Sequence, residues 1–325
     1  MKSENFQALT SELTQLTPHQ RSILSDRLRE IEHASVSRTL IEERLSNKPL
    51  CPKCSKEHIV RWGSASKLQR YRCQDCKVTF NALTGTSLAR LRHKDKWLCY
   101  SQQLSEGKSI RCSAETCGVH NTTSFRWRHR FLAEPGTHKP VQLKGIVEAD
   151  ETFFRECFKG KRHGMTRPAH KRGTPASKRG LSAEQIPVLV CRDRSGCTSD
   201  YVLEKDDARH ISCALKPVLA SDCILCTDSS KAMGAAAREI GITHRPVNLA
   251  AGIRVVARVY HVQNVNAYDS RLKNWMHRFH GVATRYLSNY LGWRRILDET
   301  KDALTPTDIL HAALGIWRYQ QLTRI

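Results

Sequence analysis

A mixed α/β domain preceded by a cysteine knuckle and a compact helical segment is the architecture the sequence predicts, and three observations predict it. Two Cys-x-x-Cys pairs, Cys51/Cys54 and Cys73/Cys76, stand 18 residues apart. Between 91 and 134, apolar residues recur at helical intervals around a glycine turn. Beyond residue 142, strand-type apolar runs alternate with a helical one, the pattern of a mixed sheet flanked by helices.

Element by element, residues 1–48 form a helical segment. Phe6, Leu9, Leu13 and Leu16, then Ile23, Leu24, Leu28 and Ile31, are spaced for two or three short helices divided at Thr17-Pro18. Residues 49–90 form a zinc ribbon. Thiolates so paired share one tetrahedral Zn²⁺, and four protein ligands close the site, which makes it structural. Runs such as "QRYRC" and "VTFNA" supply its small strands.

Residues 91–134 carry three helices, "HKDKWLCYSQQLSEG", "SIRCSAETCG" and "TSFRWRHRFLAE". The last two, with a turn at Gly118, make a helix-turn-helix candidate. Its second helix bears Arg126, Arg128 and Arg130 as candidate contacts to nucleic acid. Pro135-Gly136 ends the segment, and 135–142 reads as a linker. In the α/β domain at 143–298, "GIVEADETFF", "IPVLVCRDRSG", "TSDYVLEK" and "CILCTDSS" are strands and "DARHISCALKPVLA" is a helix. Between the first two strands, residues 155–180 hold nine Lys/Arg and one acid, Lys171 and Arg172 among them, a mobile basic insertion expected to track phosphates. Residues 299–325 form a C-terminal helical segment.

Composition narrows the partners. The chain of 325 residues has a net charge of +22, yet its first 48 residues hold seven Lys/Arg against seven Asp/Glu. The positive excess therefore lies beyond Lys48, and a polyanion, double-stranded DNA first, is the partner it serves. Arg61, Trp62, Lys67, Arg70, Tyr71 and Arg72 add the cation and aromatic mixture that suits nucleic acid. With no run of about 18 apolar residues and a polar N-terminus, the sequence predicts no membrane association and a cytoplasmic protein held at the nucleoid by DNA. In that compartment the nine other cysteines read as core or incidental residues.

Against so basic a background, carboxylates at strand ends stand out. Asp150 in "VEADETFF" and Asp228 in "CILCTDSS" can converge at the lip of a sheet, where hard oxygens bind Mg²⁺ or Mn²⁺. At about 100° per residue, Asn266 and Lys273 share one stripe of the helix "HVQNVNAYDSRLKNWM", off the apolar face of Val265, Tyr268, Leu272, Trp275 and Phe279. Asn266 offers an amide oxygen as a third ligand.

The order of these features, with "GVATRYLSNYLGWRR" after them, resembles the bacterial insertion-sequence transposases of the zinc-ribbon, ISXO-like group over roughly 49–298. The resemblance implies a ribonuclease-H-like catalytic domain with an Asp, Asp and Glu or Asn trio and a Lys two turns beyond the third member. By motif these are Asp150, Asp228, Asn266 and Lys273, the last a phosphate contact. It further implies cleavage at terminal inverted repeats, strand transfer to target DNA, and a homo-oligomer, since two ends must be held together. An amide in place of Glu implies weaker metal binding, which Glu148 on the same strand face would offset, or an impaired enzyme. The alternative functions are a DNA-binding regulator, an inactive transposase derivative, and a nuclease without strand transfer.

Overall fold

The computed structural model describes residues 2–46, 49–171, 174, 176–178, 182–301 and 303–316. They fall into two compact units, Met1–Phe131 with Thr305–Ile325, and Leu132–Leu304.

The first unit opens with helices α1 (Ser3–Glu12) and α2 (Pro18–Glu43). Thr17 starts α2 with a capping box: its backbone N–H donates to Gln20 Oε1 at 2.9 Å, its Oγ1 accepts from the Gln20 N–H at 3.3 Å, and Pro18 takes the first helical position. The expected short helices are here one of 26 residues, because neither Gly nor Pro follows Pro18 to break it. Strands β1 (Ile59–Ala65), β2 (Leu68–Cys73) and β3 (Thr79–Asn81) form an antiparallel sheet in that order beside the cysteine pairs.

Helices α3 (Trp97–Ser105), α4 (Ile110–Thr116) and α5 (Asn121–Phe131) follow. Ser109 caps α4 by accepting from Cys112 N–H, and Gly118, at φ 55°, takes the left-handed turn between α4 and α5. Packed aromatics hold the three together. Trp97 meets Phe131 edge-on at 5.9 Å, and Tyr100 meets Trp127 at 5.2 Å, all four fully or almost fully buried.

The second unit begins with α6 (Ala133–Thr137), within the stretch expected as a linker. Its backbone lies directly on α10 (Leu287–Glu299), where a Cβ on Gly292 would sit 2.1 Å from the Pro135 carbonyl oxygen, so only glycine fits. Buried Arg295 donates to the Pro135 and His138 carbonyls and pairs with buried Asp200. The Pro-Gly pair, a breaker in sequence terms, is thus a docking point.

The second sheet has the order β6-β5-β4-β7-β8. β4 (Ile146–Arg155), β5 (Gln185–Asp193) and β6 (Thr198–Val202) are antiparallel, while β7 (Ile224–Asp228) and β8 (Thr243–Val247) run parallel to β4. Helices α7 (Ala208–Leu215) and α8 (Lys231–Ile240) cover one face, burying Val147, Ala149, Leu189, Cys191 and Leu225 against Ile211, Leu215, Met233 and Ala236. Helices α9 (Gln263–His277) and α10 pack on β4, β5 and β6 through Val265, Tyr268, Leu272, Trp275, Trp293 and Leu297. This mixed sheet flanked by helices is consistent with a ribonuclease-H-like domain. The chain then returns to the first unit as α11 (Pro306–Ala313), the helix of the expected C-terminal helical segment, which packs on α3 and α2.

Candidate active site

Pleating decides what each face of the second sheet presents. Along β4, Val147 and Ala149 enter the apolar cluster under α7 and α8, so Glu148 and Asp150 point to the α9 face. The parallel register pairs Glu148 with Cys226, and continued by two residues it sets Asp150 beside Asp228. The two carboxylates, 78 positions apart in sequence, are therefore neighbours on adjacent strands; Asp228 ends β7 as expected, but Asp150 stands in the middle of β4 and not at its end, because β4 continues to Arg155.

Each acid has one oxygen engaged locally. Asp150 Oδ1 accepts from the Glu151 N–H at 2.9 Å, and Asp228 Oδ1 accepts from Ser230 N–H at 2.9 Å at the start of α8. Burial, then the charge of Asp228, push the Asp150 carboxyl up to about 6, against a smaller opposing pull from Lys273. Such a pair is costly to hold ionised without a cation, and Lys273 is the nearby positive group.

Helix α9 is fastened to this strand by Glu148, which is wholly buried. Its Oε2 accepts from the backbone N–H groups of Asn264 at 2.7 Å and Val265 at 3.0 Å; its Oε1 accepts from Asn264 Nδ2 at 2.9 Å and faces Arg194 at 2.9 Å. The first-turn N–H groups that a helix leaves unpaired thus receive a carboxylate, favoured there by the helix dipole as well. His261, 3.3 Å from the same Oε1, closes the cluster. Further along α9, Arg271 pairs with Asp298 of α10 at 2.9 Å, and Asp298 also holds Arg192 of β5 at 2.6 Å.

Asn266 follows immediately on the clamped Val265 and is half-buried; Lys273, two turns on, is exposed. Between them on the helix, Asp269 is 6% exposed, with burial and then Asp150 pushing its carboxyl up to about 8. Glu151, next to Asp150, rises to about 8 through burial and then Asp206, Asp150 and Asp228. Buried Asp269 Oδ1 and Glu151 Oε1 have no hydrogen-bond partner. Among the described residues these acids form no group of three with ligand atoms within 4.8 Å of one another.

In the first unit, the four Sγ atoms of Cys51, Cys54, Cys73 and Cys76 all lie within 4.8 Å of one another, with Cys51–Cys76 at 3.4 Å and Cys54–Cys73 at 3.6 Å. A tetrahedron of thiolates at the Zn–S distance of about 2.3 Å has edges of about 3.8 Å. The group could hold zinc.

With these two arrangements in view, the comparisons assign the chain. The ISXO2-like transposase domain matches residues 142–294. An uncharacterized protein in the transposable element ISH50 of Halobacterium salinarum is 31% identical over 260 residues, 78% of this chain and 86% of that relative. The chain belongs to the ISXO2-like transposases of insertion sequences. Among solved structures, a simian T-cell lymphotropic virus intasome in complex with PP2A regulatory subunit B56 gamma is 12% identical, covering 65% of this chain and 74% of that one at a TM-score of 0.28. The Mos1 strand transfer complex is 13% identical, covering 67% and 73% at a TM-score of 0.26.

The other expected contacts divide. Arg126 is exposed on α5 beside Phe125. Arg128, expected to face nucleic acid, is instead fully buried and donates to the Lys108 carbonyl at 2.7 Å. Arg130 donates to the Ser87 and Ala89 carbonyls. Both guanidiniums are spent on backbone oxygens inside the first unit. Lys171 is exposed, and Arg172 lies outside the described residues. The basic insertion is partly anchored rather than wholly mobile: Arg155 pairs with Glu184 and Arg167 with Glu156, and Arg167 also stacks over Phe158 at 5.4 Å. Glu148, expected as a compensating ligand, has both oxygens occupied by α9 and Arg194. No helix among the described residues is long and apolar enough to cross a membrane.

Proposed function

We propose that the chain binds the terminal inverted repeats of its insertion sequence, cleaves DNA strands there with divalent metal, and transfers the freed 3′ ends to target DNA. What supports this is the placement of Asp150 and Asp228 on neighbouring strands, each two residues past the Glu148–Cys226 pair, on the sheet face that receives α9. Asp150, Asp228 and Asn266 would hold Mg²⁺ or Mn²⁺, which supplies charge stabilisation for both the attacking and the leaving oxygen of the phosphodiester. Lys273, exposed two turns beyond Asn266, orients the scissile phosphate. Two ends must be held at once, so the working form is a homo-oligomer. The test is nicking and joining of a labelled element end in Mg²⁺ or Mn²⁺: a protein that binds this DNA and never nicks it in either ion is a regulator, and one that nicks without joined products is a nuclease.

Recognition falls to the first unit. The zinc ribbon exposes Arg61 and Trp62 on β1 and Lys67 in the turn after it, with the Arg72 guanidinium stacked 4.6 Å over Trp62. The ribbon is too small to fold on its own core, so zinc is part of its folding energy. Cys73→Ser is expected to lose the equivalent of bound zinc and most affinity for the element end. Zinc assay and DNA binding check this together, and a zinc-free variant that binds normally overturns it.

On α5, the two outcomes are opposite. Arg126→Ala should leave the melting temperature unchanged and weaken binding to all duplexes, reducing the slope of log affinity against log salt by about 1. Arg128→Ala should instead lower stability by about 3 kcal/mol, since it empties a buried site and strands the Lys108 carbonyl. Equal melting of the two variants would refute the division.

A further inference from the structure

Helix α2 carries two apolar faces, and its own unit covers one of them. In its C-terminal half, Ser37, Leu40 and Ile41 are buried where α2 packs on α3, and the Ser37 hydroxyl accepts from the Leu98 N–H at 3.2 Å. In its N-terminal half, Leu24, Leu28 and Ile31 follow at intervals of four and three residues. They form a stripe about 60° wide, its centre about 150° round the helix from the buried face. Leu24 is half-buried, but Leu28 is 59% exposed and Ile31 58%. Helix α1 adds exposed Phe6 and Leu9, one turn apart, and none of its residues is buried. With Ile23, these side chains present on the order of 500 Å² of apolar surface, a large share of the about 800 Å² per partner that a stable dimer buries.

Charge says what covers the stripe. The first 48 residues carry no net charge in a chain of +22, and along the stripe Arg21, Arg27 and Arg29 balance Asp26, Glu30 and Glu32. A polyanion gains nothing there, whereas two copies of the chain, which repel one another through the rest of their residues, can approach by this segment without electrostatic cost. The flanks are complementary as well. With Leu24 and Ile31 at d and Leu28 at a of a heptad, Arg27 falls at g and Glu32 at e five residues on, which in a parallel pair sets each Arg27 opposite the other copy's Glu32. Both side chains are exposed. The contact Arg27 makes within its own helix, to Glu30 at 2.7 Å, is a surface ion pair that exchanges at little cost.

We propose that α2 is the seam on which two copies of this chain pair in parallel, Leu24, Leu28 and Ile31 meeting their counterparts and Arg27 of each copy facing Glu32 of the other. The inference deepens the reading of the working form as a homo-oligomer and rests on it. A two-fold contact uses the same patch on both copies and closes at two, the number of element ends to be held.

The test is the oligomeric state of the full chain by sedimentation velocity over a dilution series, alone and on element-end DNA. The parent should sediment as a dimer. Leu28→Ser combined with Ile31→Ser should weaken the dimer on the order of a hundredfold and keep the bound zinc, since both side chains are exposed in the single chain. Arg27→Glu should weaken it about tenfold by setting like charges together, and adding Glu32→Arg should restore it, a rescue that a role within one helix would not give. Under mild oxidation Leu24→Cys, Leu28→Cys and Ile31→Cys should each cross-link copy to copy above the parent's background, because a parallel pair brings every seam position to its own counterpart. Cross-linking at one of the three alone means an antiparallel contact and overturns the proposal. A Leu28→Ser, Ile31→Ser protein that stays dimeric overturns it and leaves the homo-oligomer standing, seated elsewhere. A parent that stays monomeric alone and on DNA overturns the homo-oligomer as well, and leaves the stripe to another protein or to residues 317–325 of the same chain.

Discussion

Asp150→Asn is expected to abolish strand cleavage while leaving binding of the element end intact. In the proposed site Asp150 stands beside Asp228, two residues past the Glu148–Cys226 pair of β4 and β7, and replacing it would remove one of two charges proposed to hold the cation, with the loss appearing where charge develops in the transition state. A fall on the order of a thousandfold corresponds to about 4 kcal/mol of transition-state stabilisation. Asn266→Ala should follow in the same direction and by less, because an amide gives an oxygen without charge. Asn266→Asp should retain cleavage and reach half-maximal rate at lower Mg²⁺. Nicking of a labelled end against Mg²⁺ separates these outcomes, with a filter or gel assay for binding run beside it. If Asp150→Asn nicks as fast as the parent at saturating Mg²⁺, the site lies elsewhere.

The strands of the second unit were legible as apolar runs, and "CILCTDSS" ends on an acid, whereas "GIVEADETFF" carries Asp150 in mid-strand. Those patterns depend only on neighbours in sequence. The length of α2 was less legible, since Phe6 to Ile31 have helical spacing on either side of a real break at Thr17 and the spacing alone does not say that only one break exists. The α6 segment was misread for a physical reason of a different kind. Pro135-Gly136 does end a helix, but its place in the fold is set by Gly292, 156 residues away, which lets two backbones touch.

The same division runs through the two sites. Asp150, Asp228, Asn266 and the cysteine pairs announce themselves by residue type and spacing. Helical arithmetic set Lys273 on the stripe of Asn266, and the residue is exposed on α9. A count of cations on α5 cannot distinguish Arg126, which meets solvent, from Arg128 and Arg130, whose acceptors are carbonyls 20 to 43 residues away. Asp269 carries no local signal of burial. It lies on the edge of an apolar seam, and only the packing of α9 onto β4 makes it a buried acid. For Glu148 the signal was present and its meaning was not: two residues before Asp150 it must share that strand face, but its partners are 116 and 117 residues distant.

Glu148→Ala should destabilise the second unit by about 3–5 kcal/mol, the usual cost of leaving a buried charge cluster without its counter-charge. The substitution leaves the N–H groups of Asn264 and Val265 unpaired at the start of α9 and takes the carboxylate from Arg194, which keeps the Val259 carbonyl. Cleavage should fall more steeply than stability alone predicts, because the clamp sets where Asn266 stands relative to Asp150 on β4. Glu148→Gln distinguishes the two effects. Its single carbonyl oxygen can still accept from the helix N–H groups, while its amide donors face Asn264 Nδ2 and Arg194, so it should fold and melt a few degrees lower yet cleave slowly, with DNA affinity unchanged. Coupling gives the sharper measurement: Arg194→Ala should cost much less in the Glu148→Ala background than in the parent, by about 1–3 kcal/mol, since its partner is already gone. Additive losses from the two substitutions, or a Glu148→Gln protein that cleaves like the parent, would show that α9 is held in register by its apolar seam and not by this carboxylate.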